Sequence, residues 1–96
     1  MRRVDYSTKF RRDLKREFKG RYRILLDAGG ELDFVVDTLR NDAKLPLSYK
    51  DHALHGEWEG SRDCHIRPDL LLVYAYVEDD VLVLERFGSH SENFGL

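Results

Sequence analysis

Cysteine and proline are scarce: the 96 residues include one cysteine and two prolines. Cys64 has no partner in the chain, so no internal disulfide can form. Together with the absence of a charged-then-apolar leader, this points to the reducing cytoplasm. Long apolar runs are missing too. The longest, Leu70 to Val77, is eight residues, against the roughly 20 that a transmembrane helix needs. No internal repeat, low-complexity stretch or Cys-x-x-Cys pair is present. What is there, 42% hydrophobic and 35% charged residues, suits one compact domain over residues 1–96 and excludes a disordered tail or a multidomain enzyme. Such a short chain buries only about 60–65% of its unfolded surface, so its stability is modest and responsive to a tight partner.

The net charge of −2 hides an asymmetry. Residues 1–23 carry ten Lys/Arg against Asp5, Asp13 and Glu17, a local +7 that leaves −9 for the rest. A polyanion can dock on the basic segment, and a solvated amphipathic helix explains it equally well.

Arg2 to Tyr6 alternates like a short strand, and Ser7 offers a helix cap. Phe10, Leu14, Phe18, Tyr22 and Leu25 recur at helical spacing and predict one long helix, with Gly20 costing it about 1 kcal/mol. Gly29-Gly30 makes the turn to a second helix marked by Leu32, Val35, Val36 and Leu39, and Pro46 prevents its continuation. Residues 41–60 read as loop. Strands follow at 61–67, 70–77 and 81–87, with Glu78-Asp79-Asp80 as a hairpin turn. The expected fold is α+β: an N-terminal strand, a two-helix hairpin and an antiparallel three-strand meander in one small sheet. The strand Leu70 to Val77 is apolar on both faces, and the helices can cover one of them. A loop or a partner must therefore occupy part of the other.

Four histidines, His52, His55, His65 and His90, fall in the second half, near aspartates and arginines. Imidazole titrates near neutrality, so the group suggests proton transfer. A zinc site would draw on His52-x-x-His55, Cys64-His65 and His90. On a strand, however, Cys64 and His65 point to opposite faces and cannot share an ion, so no metal is expected. The same alternation turns Cys64 and Ile66 toward the helices and Asp63, His65 and Arg67 away from them. Metal-free RNA cleavage through the ribose 2′-hydroxyl needs proton carriers, a cation for the phosphate and a surface for a base. His52, His65, Asp69 and His90 are candidates for the first. Arg62 or Arg86 can hold phosphate, and Trp58 or Phe94 can stack. Two of these residues have plain structural readings as well, Trp58 as a loop plug and Arg62 as half of an ion pair.

Three stretches carry a specific pattern: Tyr49-Lys50-Asp51-His52-Ala53-Leu54; Gly56-x-Trp58-x-Gly60-x-Arg62-Asp63-x-His65-Ile66-x-Pro68-Asp69-x-Leu71-Leu72-x-Tyr74; and Leu84-x-Arg86-x-Gly88-Ser89-His90-Ser91-x-x-Phe94. In order and spacing they resemble the YafQ branch of the RelE-like bacterial toxins. The first half is similar only in plan, a strand followed by two helices. The resemblance implies a microbial-ribonuclease-like fold and the toxin of a type II toxin–antitoxin pair. Such a toxin is a cofactor-free endoribonuclease that cuts mRNA in the ribosomal A site and leaves a 2′,3′-cyclic phosphate or its hydrolysed product. It implies as partners a cognate antitoxin, message and 16S ribosomal RNA, with operator DNA reached only through the antitoxin and no membrane. By motif position His52, His65, Asp69, His90 and Phe94 fall on the active site, and Arg86 on a phosphate contact. His90 is then one proton-transfer partner, His65 with Asp69 the other, and His52 an electrostatic aid. Lys9, Arg11, Arg12, Lys15, Arg16 and Lys19 become the grip on ribosomal RNA. Leu70 departs from a position aromatic in some members, His55 stands at a variable position, and the first helix with its glycine turn is longer than in relatives. The alternative is a non-catalytic module that binds an antitoxin and, with it, operator DNA. Leu70 supports this reading, and the retention of every proton-transfer position argues against it.

Overall fold

Ser7 starts the first helix as its sequence position predicts. Its Oγ accepts the Phe10 N–H at 2.9 Å and donates to the Glu85 carbonyl at 2.8 Å, so one hydroxyl caps the helix and ties it to the sheet. The computed structural model of the chain describes residues 1–89 and Phe94. Its elements are β1 (Arg3–Tyr6), α1 (Thr8–Glu17), α2 (Glu31–Arg40), β2 (His52–Ala53), β3 (Arg62–Arg67), β4 (Leu70–Val77) and β5 (Val81–Gly88). Short 3₁₀ turns lie at Arg23–Leu26, Leu47–Tyr49 and Gly56–Trp58. The mixed α+β plan agrees with expectation, and the strand count is five because the loop before β3 contributes β2.

The first helix is shorter than its apolar spacing suggests. It ends at Glu17, Gly20 lies in the turn beyond, and Leu25 reaches the core from a 3₁₀ turn instead. Phe18, counted on the apolar stripe, is 42% exposed. The residues that α1 buries are Phe10, Asp13 and Glu17, so two carboxylates occupy the face turned to the protein. The second helix begins at Gly30, where a Cβ would stand 2.8 Å from the Asp27 carbonyl oxygen and 2.9 Å from that of Leu25. Only glycine fits there. Glu31 and Asp33 in the first turn complement the helix dipole.

The strands run in the order β1-β5-β4-β3-β2, with β1 parallel to β5 and the other pairs antiparallel. Phe10, Val35 and Leu39 from the helices pack on Cys64, Leu72 and Leu84 from one face of the sheet. At about 25 cal/mol per Å², this burial supplies most of the drive to fold. On the other face Leu71, Val73 and Ala75 are buried within the chain itself, so no partner is needed to cover them.

Two irregularities aim the side chains. A bulge between His65 and Arg67 breaks the alternation of β3, and Arg67, expected on the face away from the helices, donates instead to Glu31 at the start of α2. Pairing of β1 with β5 stops at Tyr6–Leu84, which leaves the rest of the β5 edge open. Side chains of α1 close it: the Phe87 N–H donates to Asp13 Oδ2 at 2.9 Å and the Phe87 carbonyl accepts from Arg16 Nη2 at 3.1 Å. These contacts account for the buried carboxylate on α1, because an unpaired strand edge must find polar partners.

Candidate active site

Strand pairing assembles the centre of the site. His52 on β2 stands opposite Asp63 on β3, and His65 follows two residues later on the same face. His52 Nδ1 is 3.2 Å from Asp63 Oδ1 and His65 Nε2 is 3.9 Å from the same oxygen, with the two rings 6.2 Å apart. Asp63 is 3% exposed, and its Oδ1 has no hydrogen-bond partner among the described residues. Burial pushes its pKa up, and the nearby imidazoles offset part of that rise.

Backbone carbonyls orient both rings. His52 Nδ1 lies 2.8 Å from the Lys50 carbonyl and His65 Nδ1 lies 3.2 Å from that of Pro68. A carbonyl only accepts, so each Nδ1 carries a proton and each neutral ring keeps its lone pair on Nε2. That is the arrangement of a proton acceptor beside a fixed negative charge. The potential ligand atoms of His52, Asp63 and His65 lie within 4.8 Å of one another, so the same trio can hold a transition-metal ion. Cys64, on the opposite face of β3, is fully buried and takes no part.

The other candidates are distributed around this centre. Asp69 contacts neither histidine: its two oxygens accept from Tyr22 Oη and from Arg21. The Tyr22 hydroxyl, with the Arg21 charge, lowers its pKa. Arg86 spends Nε and Nη2 on Asp13 at 2.8 and 3.1 Å, and its guanidinium lies 4.3 Å over the Phe94 ring. Phe94 is 5% exposed, so its ring is packed rather than offered to a base. Trp58 Nε1 donates to the Phe94 carbonyl at 2.8 Å, which makes the indole an anchor for Phe94. Arg62 falls on the helix side of β3 and pairs with Asp51 at 3.3 Å, its structural reading. His55 is exposed, 3.7 Å from Glu59, away from the trio. His90 lies outside the described residues.

Along α1 and just past it, Lys9, Arg11, Arg12, Lys15 and Lys19 are exposed. Arg16 differs, because it bridges Asp13, Glu17 and the Phe87 carbonyl at 3.1 Å each. Sequence reasoning gave no role to Asp63, Arg21 or Tyr22. Asp63 was legible from its place two residues before His65 on a strand. The meeting of Arg21 and Tyr22 with Asp69 spans 48 and 47 residues and has no local signature.

Comparison with known proteins bears on this geometry. The profile of the family described as "Bacterial toxin of type II toxin-antitoxin system, YafQ" matches residues 2–95. A YafQ toxin of Haemophilus influenzae is 44% identical over 92 residues, 93% of this chain and 88% of the relative. The mRNA interferase toxin YafQ of Escherichia coli K12 is 37% identical over 93 residues, 96% of this chain and 95% of the relative. Among solved structures, an E. coli DinJ–YafQ complex is similar at a TM-score of 0.78, with 36% identity over 99% of this chain and 100% of that one. A metal-bound toxin from Helicobacter pylori also scores 0.78, with 39% identity over 96% of this chain and 98% of that one. With the fold and almost the whole length in agreement, this chain belongs to the YafQ family of type II toxin–antitoxin toxins.

Proposed function

We propose that this toxin is a ribosome-dependent mRNA interferase, an endoribonuclease that cuts the message in the A site by proton transfer without a metal. The observation that carries this reading is the trio His52, Asp63 and His65, in which two imidazoles flank one buried carboxylate oxygen at 3.2 and 3.9 Å. The 2′-hydroxyl oxygen attacks the adjacent phosphorus while an imidazole Nε2 takes its proton. The bond from phosphorus to the 5′ oxygen breaks, and that oxygen receives a proton from a second, protonated imidazole. The products are a 2′,3′-cyclic phosphate and a 5′-hydroxyl. His65 is one of the two proton carriers, with Asp63 rather than Asp69 offsetting the charge its ring gains. His90, by family resemblance, is the other, and His52 assists electrostatically. Arg86 keeps Nη1 clear of Asp13 and faces the developing phosphate charge with it.

The exposed cations of α1, Lys9, Arg11, Arg12 and Lys15, provide the grip on 16S ribosomal RNA. A cognate antitoxin binds the toxin, as DinJ binds YafQ in the E. coli complex, and brings it to operator DNA. Binding stabilises the fold by linkage. A metal ion held by the trio would take the imidazole lone pairs that proton transfer uses. Chelators therefore leave cleavage intact, and added zinc suppresses it.

The test is to express the toxin in a translating extract and map the 5′ ends of a reporter message with initiation allowed and blocked. Cuts confined to the translated message are expected, and they disappear in His65→Ala. Cuts of equal strength when initiation is blocked sink the ribosome-dependent reading, and a fully active His65→Ala removes that ring from the mechanism.

A further inference from the structure

At the end of the sheet where His65 pairs with Leu71 and Leu71 with Gly88, a cavity of about 520 Å³ opens between the end of α1 and the start of β4. Arg16, Lys19 and Arg21 bring positive charge to its wall, Glu17 and Asp69 negative charge, and Ser89 joins it to the end of β5. Both acids are already engaged. Glu17 is held by Arg16 at 3.1 Å, and Asp69 by Tyr22 and Arg21. Arg16 in turn is committed to Asp13, Glu17 and the Phe87 carbonyl. Lys19 makes no ion pair among the described residues.

Arg21 is held differently from Arg16. Its side chain is 71% exposed, its guanidinium lies 4.8 Å from the centroid of the Tyr22 ring, and its carboxylate partner is itself 44% exposed. A guanidinium stacked on an aromatic face keeps its plane and its direction while its outer N–H groups stay available to a second anion. Tyr22 also holds Asp69 from the other oxygen, so the carboxylate stays in place if Arg21 turns toward a new partner. The cavity thus combines a pre-oriented cation, an exposed lysine and a polar wall.

We propose that this cavity is a phosphate subsite for the RNA strand being cut, in which Lys19 and Arg21 bind the backbone phosphate next to the scissile one and Asp69 holds Arg21 ready for it. The inference rests on the endoribonuclease reading for the identity of the strand. Its ligand is a phosphodiester of the message, since the cavity wall is shared with Asp69 and with Ser89, one residue before the family's histidine position at His90. Arg21 and Lys19 are binding residues in this role, and the proton transfers stay with the histidines.

The probe is a short 2′-O-methyl oligonucleotide, which cannot react, titrated into the free full-length toxin and followed by backbone amide shifts. The expected result is saturable movement of Gly20, Arg21 and Ser89. Arg21→Ala and Lys19→Ala each weaken binding several-fold and lower the salt slope by about 0.7 for the lost single-strand contact. Lys44→Ala, which removes the same charge from the exposed loop after α2, leaves both unchanged. No movement of those three amides up to millimolar oligonucleotide overturns the proposal, as does an equal effect of Lys44→Ala. A second arm separates message from ribosomal RNA. If Arg21→Ala weakens binding to ribosomes without a message as much as to ribosomes carrying one, the phosphate belongs to ribosomal RNA and the assignment fails. A toxin that binds the oligonucleotide but no ribosome would sink the ribosome-dependent reading and leave the subsite standing.

Discussion

Asp13 and Asp63 are buried to nearly the same depth, 2% and 3% exposed, and the chain treats their charges in opposite ways. Asp13, in the seam between α1 and β5, accepts four hydrogen bonds: two from Arg86, one from Arg16 and one from the Phe87 N–H. Burial pushes its pKa up, but these partners outweigh burial and the net shift is down. Asp63, at the β2–β3 edge, has two imidazoles nearby and, among the described residues, no hydrogen bond to Oδ1, and its net shift is up. Equal burial therefore serves two ends. A satisfied carboxylate joins elements of the fold, and an unsatisfied one is a cost that chemistry puts to use.

The largest effect that tests this contrast is Asp13→Ala. It strands the Arg86 charge and the Phe87 N–H in a buried seam, and breaking such a pair costs about 3–5 kcal/mol. That is a large share of the 5–15 kcal/mol typical of a whole domain. Urea unfolding should show the midpoint falling accordingly. A loss below about 1 kcal/mol, the level of a surface pair, would erase the difference between the two regions.

Asp63→Asn should act in the other direction on stability. Removing a buried charge whose Oδ1 has no hydrogen bond among the described residues raises stability by about 1 kcal/mol. Cleavage falls by about 100-fold or more, the scale of losing support for a general acid–base group. Thermal unfolding and primer extension on the same preparation measure both. A variant that is less stable and still active would place Asp63 with the structural carboxylates.

The sequence and the fold agree where periodicity is strict. Leu32, Val35 and Leu39 form the buried stripe of α2, and Leu70–Val77 is the central strand its apolar run predicts. Agreement fails where polar groups settle the geometry. The stripe from Phe10 to Leu25 suggests one helix, yet α1 stops at Glu17 and buries Asp13, because the open β5 edge needs a carboxylate and a guanidinium more than it needs Phe18. At the site, alternation predicts the shared face of Asp63 and His65 and the separation of Cys64 from it. The two-residue β2 that brings His52 opposite Asp63 is too short to leave a pattern. Arg67 turns to Glu31 because a bulge, invisible in the sequence, shifts the strand by one residue. Hydrophobic order is written locally, whereas partners 36 to 74 residues apart are chosen only once the sheet exists.

The smallest expected effects lie in the pH dependence, which sharpens the contrast most. Asp13→Asn removes charge with little change of shape, and its deficit against the parent measures what the Asp13 charge contributes. With a folded pKa below the ordinary 3.8, that contribution is complete above 3.8 and is lost as pH falls through the depressed value. For Asp63 the folded pKa is raised above 3.8, so its charge penalty is complete above the raised value and is gone once pH falls below 3.8. Measured by urea midpoints from neutral pH downward, the advantage of Asp63→Asn should shrink first, while the deficit of Asp13→Asn holds until the pH is well into the acid range. The order of closure follows from the sign of each shift and does not depend on its size. If the two gaps close together, or the Asp13 gap closes first, the two carboxylates share one environment and the division of labour between seam and site fails.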